Sequence, residues 1–458
     1  MVADVAYLQQ NQQQIEALEP LLAAQRAAYR ANPMPSAEQR RAWLKALREL
    51  ILGEKQALIE AVSRDFSNRA AEETLLAEIM PSLHGIDYAS KRLGKWMKPS
   101  RRSVGLAFQP AAAKVAYQPL GVVGVIVPWN YPLYLAFGPL IGALAAGNRV
   151  MIKMSESTPA TSQLVKELLA RIFPEDMVAV VLGEAEVGQA FSRLPFDHLL
   201  FTGATSIGKH VMRAAAENLV PVTLELGGKS PAIVSADVPL ADAAERIAFG
   251  KTMNAGQTCV APDYVLVPQD RLEGFVAAYR TAVQRFYPKL ENNPDYTAII
   301  NERQLGRLKG YIADAEAKGA QLVPLFPGDQ GRRLAHSLVL NVSDEMKLMQ
   351  EEIFGPVACL IPFKDEADAI AKANDIEYGL SSYVWSENIG RAHRVAAAIE
   401  AGMCFVNSQN VRDLRQPFGG TKASGTGREG GTWSYEVFLE PKNVAVSMGS
   451  HHIPHWGV

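Results

Sequence analysis

The stretch "GVVGVIVPWNYPLYLAFGPLIGALAAGNRVMIKM", residues 121–154, decides the fold class of this chain. It places two short, β-rich apolar runs on either side of a segment of helical composition, and residues 115–148 carry no charge. An uncharged run of this length could be a membrane span, but it is interrupted at Pro119, Pro128, Asn130, Pro132 and Pro139. An apolar helix of about 20 residues is therefore excluded. The sequence instead predicts a buried strand, a turn, a short helix and a second buried strand.

The same alternation continues towards the C-terminus. The apolar runs MVAVVLG, DHLLFTG and PVTLELGG alternate with the helical stretches TSQLVKELLARIF and SIGKHVMRAAAENL. This pattern predicts an α/β fold with a Rossmann-like, doubly wound parallel sheet, whose ligands bind at the carboxyl ends of the strands. The first hundred residues are helical in pattern, with Ser36 and Gln39 as a capping box. The literal G-x-G-x-x-G match at residues 425–430 is not expected to bind phosphate, because no strand precedes it.

A second alternation of strands and helices begins after Gly227 and predicts a second α/β domain. The predicted boundaries are 1–108 and 126–227 for a dinucleotide-binding domain, 228–437 for a catalytic domain, and 109–125 and 438–458 for oligomerisation or bridging strands. We expect the last two segments to bridge subunits, because apolar edge strands of this kind find a partner.

The composition indicates a small-molecule partner. The 458 residues are 48% hydrophobic and 21% charged, with a formal net charge of -2, so no strong field attracts nucleic acid or anionic lipid. The N-terminus lacks the basic and apolar regions of a signal peptide, and the three cysteines form no paired framework, so we expect a cytoplasmic protein. No metal site is expected, because Pro454 breaks the spacing of the tail histidines His451, His452 and His455.

The run "NAGQTCVAPD", residues 254–263, places Cys259 among small, uncharged residues. A thiol becomes a nucleophile when its thiolate is stabilised in a partly open site, and Gly256 would let a ligand approach the backbone. The alternative is a buried structural thiol, which is the commoner role of a free cysteine. Cys359 and Cys404 lie inside apolar strand patterns and keep that structural interpretation.

Polar groups follow four of the predicted strands at their carboxyl ends. Glu225 could act as a general base on water, and the side-chain amide of Asn130 could donate to an oxyanion. Lys153 and Glu156 suit the hydroxyls of a nucleotide ribose, and Gly203 opens a helix whose N-terminus favours phosphate. Each group also has a purely structural interpretation, as an ion-pair partner, a turn residue, a solvated charge or a helix start.

The order of these motifs, together with "EEIFGPV" near residue 351 and "PFGGTKASGTGREGG" near residue 417, resembles the aldehyde dehydrogenase superfamily over nearly the whole chain. The resemblance implies that Cys259 is the nucleophile, Glu225 the base for hydrolysis, and Asn130 the oxyanion donor together with the backbone N–H of Cys259. It implies cofactor contacts at Lys153, Glu156, Gly203, Ser206, Glu352 and Phe354. The implied cofactor is NAD⁺, because Glu156 would repel a 2′-phosphate, with NADP⁺ as the alternative. Met154 departs from the family, which commonly has a proline there.

In the implied mechanism, the Cys259 thiolate adds to an aldehyde, the thiohemiacetal passes a hydride to NAD(P)⁺, and water activated by Glu225 cleaves the thioester to release the acid. Up to about residue 345 the chain is similar to class 3 and coniferyl aldehyde dehydrogenases. The last hundred residues resemble 5-carboxymethyl-2-hydroxymuconate semialdehyde dehydrogenases, as in a mosaic. We expect oxidation of aromatic or medium-chain aldehydes, with carboxylated semialdehydes as the alternative. In that alternative Arg412 and Arg415 bind the substrate carboxylate; otherwise they pair with Asp413 or another subunit.

The class 3 resemblance also implies a homodimer, with a tetramer as the alternative from the second set of relatives. Other classes of function stay open on the residues alone. A cofactor-independent cysteine hydrolase or acyltransferase could use Cys259, Glu225 and Asn130 and would turn over esters without a dinucleotide. A CoA-acylating dehydrogenase would not need Glu225 as a hydrolytic base, and a non-catalytic protein would not need Cys259.

Overall fold

The structure is a computed structural model that describes residues 2–409 and 413–447. Within these ranges the α-helices, α1 to α16 in chain order, are Val2–Ala31, Ala37–Gly53, Lys55–Asp65, Ala71–Thr74, Met80–Trp96, Tyr134–Ala146, Pro159–Ala170, Ala185–Ser192, Thr205–Ala216, Leu240–Thr252, Leu272–Phe286, Glu302–Ala317, Lys347–Gln350, Glu366–Asn374, Ile389–Ala398 and Thr432–Glu436. A π-helical turn, Leu75–Ile79, joins α4 to α5. The predicted capping box is confirmed at the start of α2, because the Ser36 side chain accepts from the Gln39 backbone and the Gln39 side chain accepts from the Ser36 backbone.

The strands form two large sheets and two small ones. In chain order β1 to β18 are Ser100–Arg102, Ala111–Pro119, Val122–Ile126, Arg149–Lys153, Val178–Val181, His198–Thr202, Val222–Glu225, Ser230–Val234, Pro262–Pro268, Gln321–Pro324, Ser337–Leu340, Val357–Phe363, Tyr378–Gly379, Ser381–Trp385, Met403–Val406, Thr421–Lys422, Gly425–Thr426 and Leu439–Ser447. The small sheets are β1-β2-β18 and β13-β16.

The first large sheet has the order β17-β7-β6-β3-β4-β5, and all of its pairs are parallel except β17 with β7. The chain winds from β3 to β5 in one direction and from β6 to β7 in the other. Along β4, Val150 and Ile152 join one hydrophobic core while Met151 joins a second, so helices cover both faces. The predicted α/β fold with a doubly wound parallel sheet is confirmed.

The second large sheet has the order β10-β11-β12-β9-β8-β14-β15, with only β10 antiparallel to its neighbour. It packs with α10 and α11 around a third core, in which Tyr264, Tyr279 and Trp385 are among the largest buried side chains. β9 of this sheet begins three residues after Cys259. Cys259 therefore lies just before the N-terminal end of a central strand of the second sheet, next to the loops of the first sheet.

The two segments predicted as bridging strands pair with each other. β18 runs antiparallel along β2 from Leu439 opposite Pro119 to Ser447 opposite Ala111. This ribbon ends at Pro119, earlier than the expected 125, because Val122–Ile126 pairs with β4 and β6 inside the first sheet. The division into a dinucleotide-binding and a catalytic domain stays a prediction.

The uncharged stretch that resembles a membrane span folds as predicted from its prolines. It forms β3, a turn and the short helix α6, whose residues are mostly buried. Across the described part of the chain, no helix combines the length and hydrophobicity needed to cross a bilayer. Residues 448–458, with the three tail histidines, lie outside the described residues.

Candidate active site

The loop that carries Cys259 begins where α10 ends, at Thr252. Asn254 and Ala255 follow in the left-handed region, with φ of 51° and 49°, and Gly256 has φ of 71°. Asparagine and glycine adopt this conformation readily, whereas an alanine does so at a cost of about 1–2 kcal/mol. Three successive left-handed residues reverse the chain over a short distance. The turn leads to Cys259, which is partly exposed.

Gly256 packs against the backbone of a second loop. A Cβ at position 256 would lie 2.3 Å from the carbonyl O of Gly355. The expectation that this glycine leaves room for a ligand is therefore wrong, because the protein's own chain takes the room. The contact joins the Cys259 loop to Gly355, the residue that directly follows the predicted cofactor contact Phe354.

A cavity of ≈ 1020 Å³ brings together seven of the nine predicted site residues: Asn130, Gly203, Ser206, Glu225, Cys259, Glu352 and Phe354. Strands β3, β6 and β7 end on this cavity, as expected at the point where the strand order of a doubly wound sheet reverses. Of the other two cysteines, Cys359 is buried and Cys404 is exposed, and neither lines the cavity. Cys259 is thus the thiol that a ligand in this cavity can reach.

Asn130 is buried and faces the Cys259 loop. Its side-chain Nδ2 donates to the backbone carbonyl O of Gln257 at 3.2 Å, and the backbone carbonyl O of Asn130 accepts from Asn254 Nδ2 at 3.1 Å. An amide Nδ2 carries two hydrogens, so the bond to Gln257 uses only one of them. Asn130 is therefore fixed to the loop of the nucleophile and still has a donor for a ligand in the cavity.

Gln257, two positions before Cys259, also holds the site together, although the sequence gives no indication of this role. Its buried side chain donates from Nε2 to the carbonyl O of Ala298 at 3.1 Å and accepts at Oε1 from the backbone N–H of Ile300 at 3.0 Å. These bonds fix the Cys259 loop to a distant segment of the chain. A glutamine in a run of small residues gives no sequence signal for such contacts.

Glu225 is the last residue of β7 and is 3% exposed. β17 pairs with β7 so that Gly425 lies opposite Glu225. A Cβ at position 419 would lie 2.9 Å from Glu225 Oε1, so Gly419, with φ of 152°, leaves room for the carboxylate. The glycine-rich segment near residue 417 and the rejected match at 425–430 therefore form the sheet edge next to Glu225.

Gly203 and Ser206 lie at the N-terminus of helix α9. The backbone N–H of Gly203 donates to the carbonyl O of Glu225 at 3.0 Å, which ties the ends of β6 and β7 together. The N-cap residue is Ala204, which supplies no side-chain acceptor for the first turn. A helix N-terminus of this kind, on the wall of a cavity, is suited to an anionic phosphate.

Lys153 is the last residue of β4, and Glu156 follows three positions later, at the carboxyl end of the first large sheet. Neither residue lines this cavity. The buried Lys153 Nζ donates to the carbonyl O of Met154 at 2.7 Å and lies 4.0 Å from Glu156 Oε2. Burial lowers the pKa of Lys153. The backbone N–H of Met154 donates to the carbonyl O of Val181 at 3.1 Å. The proline that is expected at this position from the family resemblance could not make this bond.

Residues 352–354 are held on the cavity wall by Arg307. The guanidinium donates to the carbonyl O of Glu352 at 3.3 Å and to that of Ile353 at 2.9 Å. Phe354 has φ of 53°, which is strained for an aromatic residue, and its ring meets Trp129 edge-on with centroids 5.2 Å apart. Backbone anchoring and ring contact thus fix both predicted cofactor contacts.

The carboxyl group of Glu352 has an unusual protonation equilibrium. Burial raises the pKa of Glu352 to about 8, and the nearby Asp263 carboxylate acts in the same direction. The backbone N–H of Gly228, which donates to Glu352 Oε1 at 3.0 Å, acts in the opposite direction. Because the ordinary value is 4.5, this carboxyl group is mostly neutral at pH 7.

Aromatic and apolar side chains form much of the cavity wall. They include Trp129, Tyr131, Tyr134, Phe249, Phe405 and Phe418, together with Leu76, Met80, Met253 and Leu414. Leu76 and Phe249 are 61% and 51% exposed, so apolar surface extends out of the cavity to its mouth. These residues come from segments far apart in the sequence, and sequence reasoning identified none of them as lining residues.

Arg415 does not line the cavity. Its Nε donates to Asp413 Oδ1 at 2.7 Å, and this bond lowers the pKa of Asp413 to about 2. Pairing with Asp413 is the predicted alternative to binding a substrate carboxylate. Arg412 lies outside the described residues.

Comparisons with known proteins agree with this geometry. The family model described as "Aldehyde dehydrogenase family" matches residues 4–444. A "Probable coniferyl aldehyde dehydrogenase" from Pseudomonas aeruginosa is 66% identical over 446 residues, covering 97% of this chain and 94% of that protein. A substrate-bound AldH structure from Staphylococcus aureus has a TM-score of 0.90 at 34% identity and covers 95% of both chains. A Mycobacterium tuberculosis aldehyde dehydrogenase complexed with NAD⁺ has a TM-score of 0.87 at 34% identity, covering 96% of this chain and 92% of that one.

Proposed function

The chain belongs to the aldehyde dehydrogenase family, an NAD(P)-dependent class of enzymes, and from this premise we propose that it oxidises aromatic and medium-chain aldehydes to carboxylic acids with NAD⁺. The resemblance derived from the motifs is thereby confirmed. The suggestion of a mosaic stays a prediction. The observation that carries the proposal is the arrangement of Cys259, Glu225 and Asn130 on one cavity with an aromatic wall.

Three side chains carry the proposed chemistry. The Cys259 thiolate adds to the aldehyde carbon, and Asn130 Nδ2 with the backbone N–H of Cys259 stabilises the oxyanion of the thiohemiacetal. Loss of a hydride from the thiohemiacetal carbon, for which a bound dinucleotide would be the acceptor, leaves a thioester; Glu225 then takes a proton from the water that attacks the thioester carbonyl, so that the carboxylic acid leaves and the Cys259 sulfur is released. Burial of Asn130 and Glu225 supports these roles, because hydrogen bonds and charges act more strongly away from bulk water.

The residues that follow β6 and those that precede β12 fit a dinucleotide. The N-terminus of α9, with Gly203 and Ser206, would hold a phosphate, and Glu352 would accept hydrogen bonds from a ribose. The bound nicotinamide supplies the hydride acceptor for the reaction. We keep Lys153 and Glu156 as contacts of the second ribose, where the exposed carboxylate of Glu156 favours NAD⁺ over NADP⁺.

Cofactor affinity is expected to rise with pH through about 8, because hydrogen bonds from the ribose hydroxyls favour the ionised form of Glu352. Below this pKa, binding must first remove a proton from the carboxyl group. Between about pH 6.5 and about pH 9 we expect the dissociation constant of NAD⁺ to fall about tenfold, as measured by quenching of protein fluorescence. Glu352→Gln should bind more weakly with no such dependence. A Glu352→Gln variant that keeps the parent's pH profile would contradict this assignment.

The cavity wall supports an apolar or aromatic substrate. Rings such as Trp129, Tyr134 and Phe418 offer large apolar faces to a planar aldehyde, and coniferyl aldehyde belongs to this class. The arginine proposed for the carboxylate of a semialdehyde, Arg415, is paired with Asp413 and does not line the cavity. The cations that line it in the described part of the chain are Lys209, Arg213 and Arg307, and Arg307 already donates to the backbone carbonyls of Glu352 and Ile353. The name of the Pseudomonas aeruginosa relative supports the same class of substrate.

A panel of aldehydes tests the substrate class. We expect kcat/KM to be at least about tenfold higher for coniferaldehyde, benzaldehyde and a medium-chain aliphatic aldehyde than for an acidic semialdehyde. The reason is that the cavity wall buries apolar surface, whereas Arg415 lies outside the cavity and is paired with Asp413. Reduced nicotinamide is followed by absorbance with either dinucleotide. Arg415→Ala should leave KM for the acidic semialdehyde unaltered.

Two results would overturn the proposal. A preference for the acidic semialdehyde that Arg415→Ala abolishes would favour the carboxylated alternative. Ester hydrolysis at full rate with no dinucleotide, and no aldehyde oxidation with one, would favour a cysteine hydrolase.

A homodimer built on the ribbon is also proposed. Among the described residues, β18 is the outer strand of the ribbon and β15 is the outer strand of the second large sheet, so each has a neighbouring strand on one side. Edge strands of this kind pair with a neighbouring chain. The tetramer stays the alternative.

A further inference from the structure

A buried cluster of charged residues lies beneath the Cys259 loop. The side chain of Arg69 is fully buried, its Nη1 lies 3.2 Å from Glu78 Oε1 and its Nε lies 3.9 Å from Glu73 Oε1. Burial raises the pKa of both carboxyl groups, and the Arg69 charge opposes that shift. Apolar side chains would fill such a space without desolvating ions, so the contacts that these charges make must offset the cost of burying them.

One branch of the cluster reaches the proposed oxyanion donor. Arg69 Nη1 donates to the backbone carbonyl O of Asn130 at 3.0 Å. The same carbonyl accepts from Asn254 Nδ2 in the left-handed turn before Cys259. A single oxygen atom thus receives hydrogen bonds from the cluster and from the nucleophile's loop.

A second branch reaches the neighbour of the nucleophile. The Arg69 guanidinium stacks over the ring of Tyr131, 4.6 Å from its centroid, and Tyr131 Oη lies 2.9 Å from Thr258 Oγ1. Thr258 precedes Cys259 in the chain. The guanidinium therefore contacts both the backbone of Asn130 and the ring that fixes Thr258.

The carboxylates extend the cluster to the elements on either side. Glu78 Oε2 accepts the backbone N–H groups of Leu133 and Tyr134, just before and at the start of α6, at 2.7 Å and 3.0 Å. Glu73 Oε2 accepts from Thr297 Oγ1 at 2.9 Å. Arg69 is therefore held between two carboxylates, one hydrogen-bonded to the backbone at the start of α6 and the other to the Thr297 side chain.

We propose that Arg69 is a positioning residue that fixes the oxyanion donor Asn130 and the nucleophile Cys259 relative to each other. This inference rests on the proposed roles of those two residues. Arg69 does not line the cavity and acts through the Asn130 carbonyl and through Tyr131. Its loss is expected to slow the chemical step more than it weakens the binding of ligands.

Arg40 offers a matched control. It is also a buried arginine, at 1% exposure, and its Nη1 donates to the carbonyls of Ala145 and Ala146 at 3.0 Å and 2.8 Å. These carbonyls belong to the C-terminal end of α6, away from the Cys259 loop. Arg40→Met and Arg69→Met therefore remove the same buried charge, but only the second touches the catalytic loop.

In the test, kcat with saturating benzaldehyde, the dissociation constant of NAD⁺ and the thermal midpoint are measured for Arg69→Met, Arg69→Lys and Arg40→Met. Arg69→Met should lower kcat about 100-fold more than Arg40→Met does, with NAD⁺ affinity within about twofold of the parent. The kcat of Arg69→Lys should be about tenfold higher than that of Arg69→Met and still below that of the parent, because an ammonium keeps the charge beside Glu78 but lacks the several donors of a guanidinium. Equal losses of kcat in Arg69→Met and Arg40→Met would overturn the proposal.

Tyr131→Phe keeps the inference testable where Arg69→Met does not fold. It removes only the bond to Thr258, so kcat should fall about three- to tenfold and iodoacetamide should alkylate Cys259 at a changed rate. An unaltered kcat and alkylation rate in this variant would count against the proposal. A parent protein that oxidises no aldehyde defeats the proposed function itself, whereas an active parent with unaffected variants defeats only the role of Arg69.

Discussion

Cys259→Ser is expected to lower kcat for aldehyde oxidation about a thousandfold or more and to leave NAD⁺ affinity unaltered. Serine preserves the shape of the side chain, but its hydroxyl does not ionise near neutral pH and so cannot replace a thiolate in the addition to the carbonyl. Cofactor affinity should persist because Arg307 anchors the segment with Glu352 independently of the thiol. Steady-state formation of reduced nicotinamide and a fluorescence titration measure the two quantities.

Cys404→Ser is the matched control for this substitution. Cys404 is an exposed thiol on β15 that does not line the cavity, so this variant should keep the parent's activity. Aldehyde oxidation by Cys259→Ser at the parent's rate would show that another group is the nucleophile. A loss confined to Cys404→Ser would move the site away from this cavity.

Local sequence patterns were sufficient to predict the strand ends. A parallel sheet places the carboxyl ends of its strands along one edge, so polar residues that follow successive strands must meet there. Asn130, Gly203 and Glu225 could be identified in this way, and they line one cavity in the structure. Cys259 was identifiable because the run of small residues around it predicts a loop, unlike the apolar strand around Cys359.

Long-range contacts could not be predicted from these patterns. Arg69 lies between α3 and α4 in a polar stretch, where a solvated charge is the natural interpretation, and only the folded chain shows that it is buried. The sequence shows glycines at positions 256 and 419, but it does not show that they pack against Gly355 and Glu225, which come from distant segments. The end of the ribbon depends on the same kind of contact, because only the pairing of Val122–Ile126 with β4 and β6 shows where the ribbon stops and the first large sheet begins.

Glu225→Gln should retain the first half of the reaction and lose the second. Attack by Cys259 and hydride transfer do not need a base on water, whereas hydrolysis of the thioester does, so acyl-enzyme should accumulate. Rapid mixing should show a burst of about one reduced nicotinamide per active site, followed by steady-state turnover about 10²–10⁴-fold slower than the parent's. Glutamine suits the site sterically, because Gly419 leaves room beside the carboxylate and an amide occupies a similar volume.

Hydroxylamine distinguishes a hydrolytic base from a general loss of activity. It attacks the thioester carbonyl directly, releases Cys259 as the thiol and gives a hydroxamic acid, so it should restore turnover of Glu225→Gln to within about tenfold of the parent. Glu352→Gln is the contrasting variant on the same cavity: it should show weaker NAD⁺ binding, no accumulated acyl-enzyme and no response to hydroxylamine. A Glu225→Gln variant with no burst and no rescue would mean that this carboxylate acts before the thioester forms, as the base that ionises Cys259. In that case the buried position of Glu225 at the end of β7 would serve thiol activation, and the water would need another base.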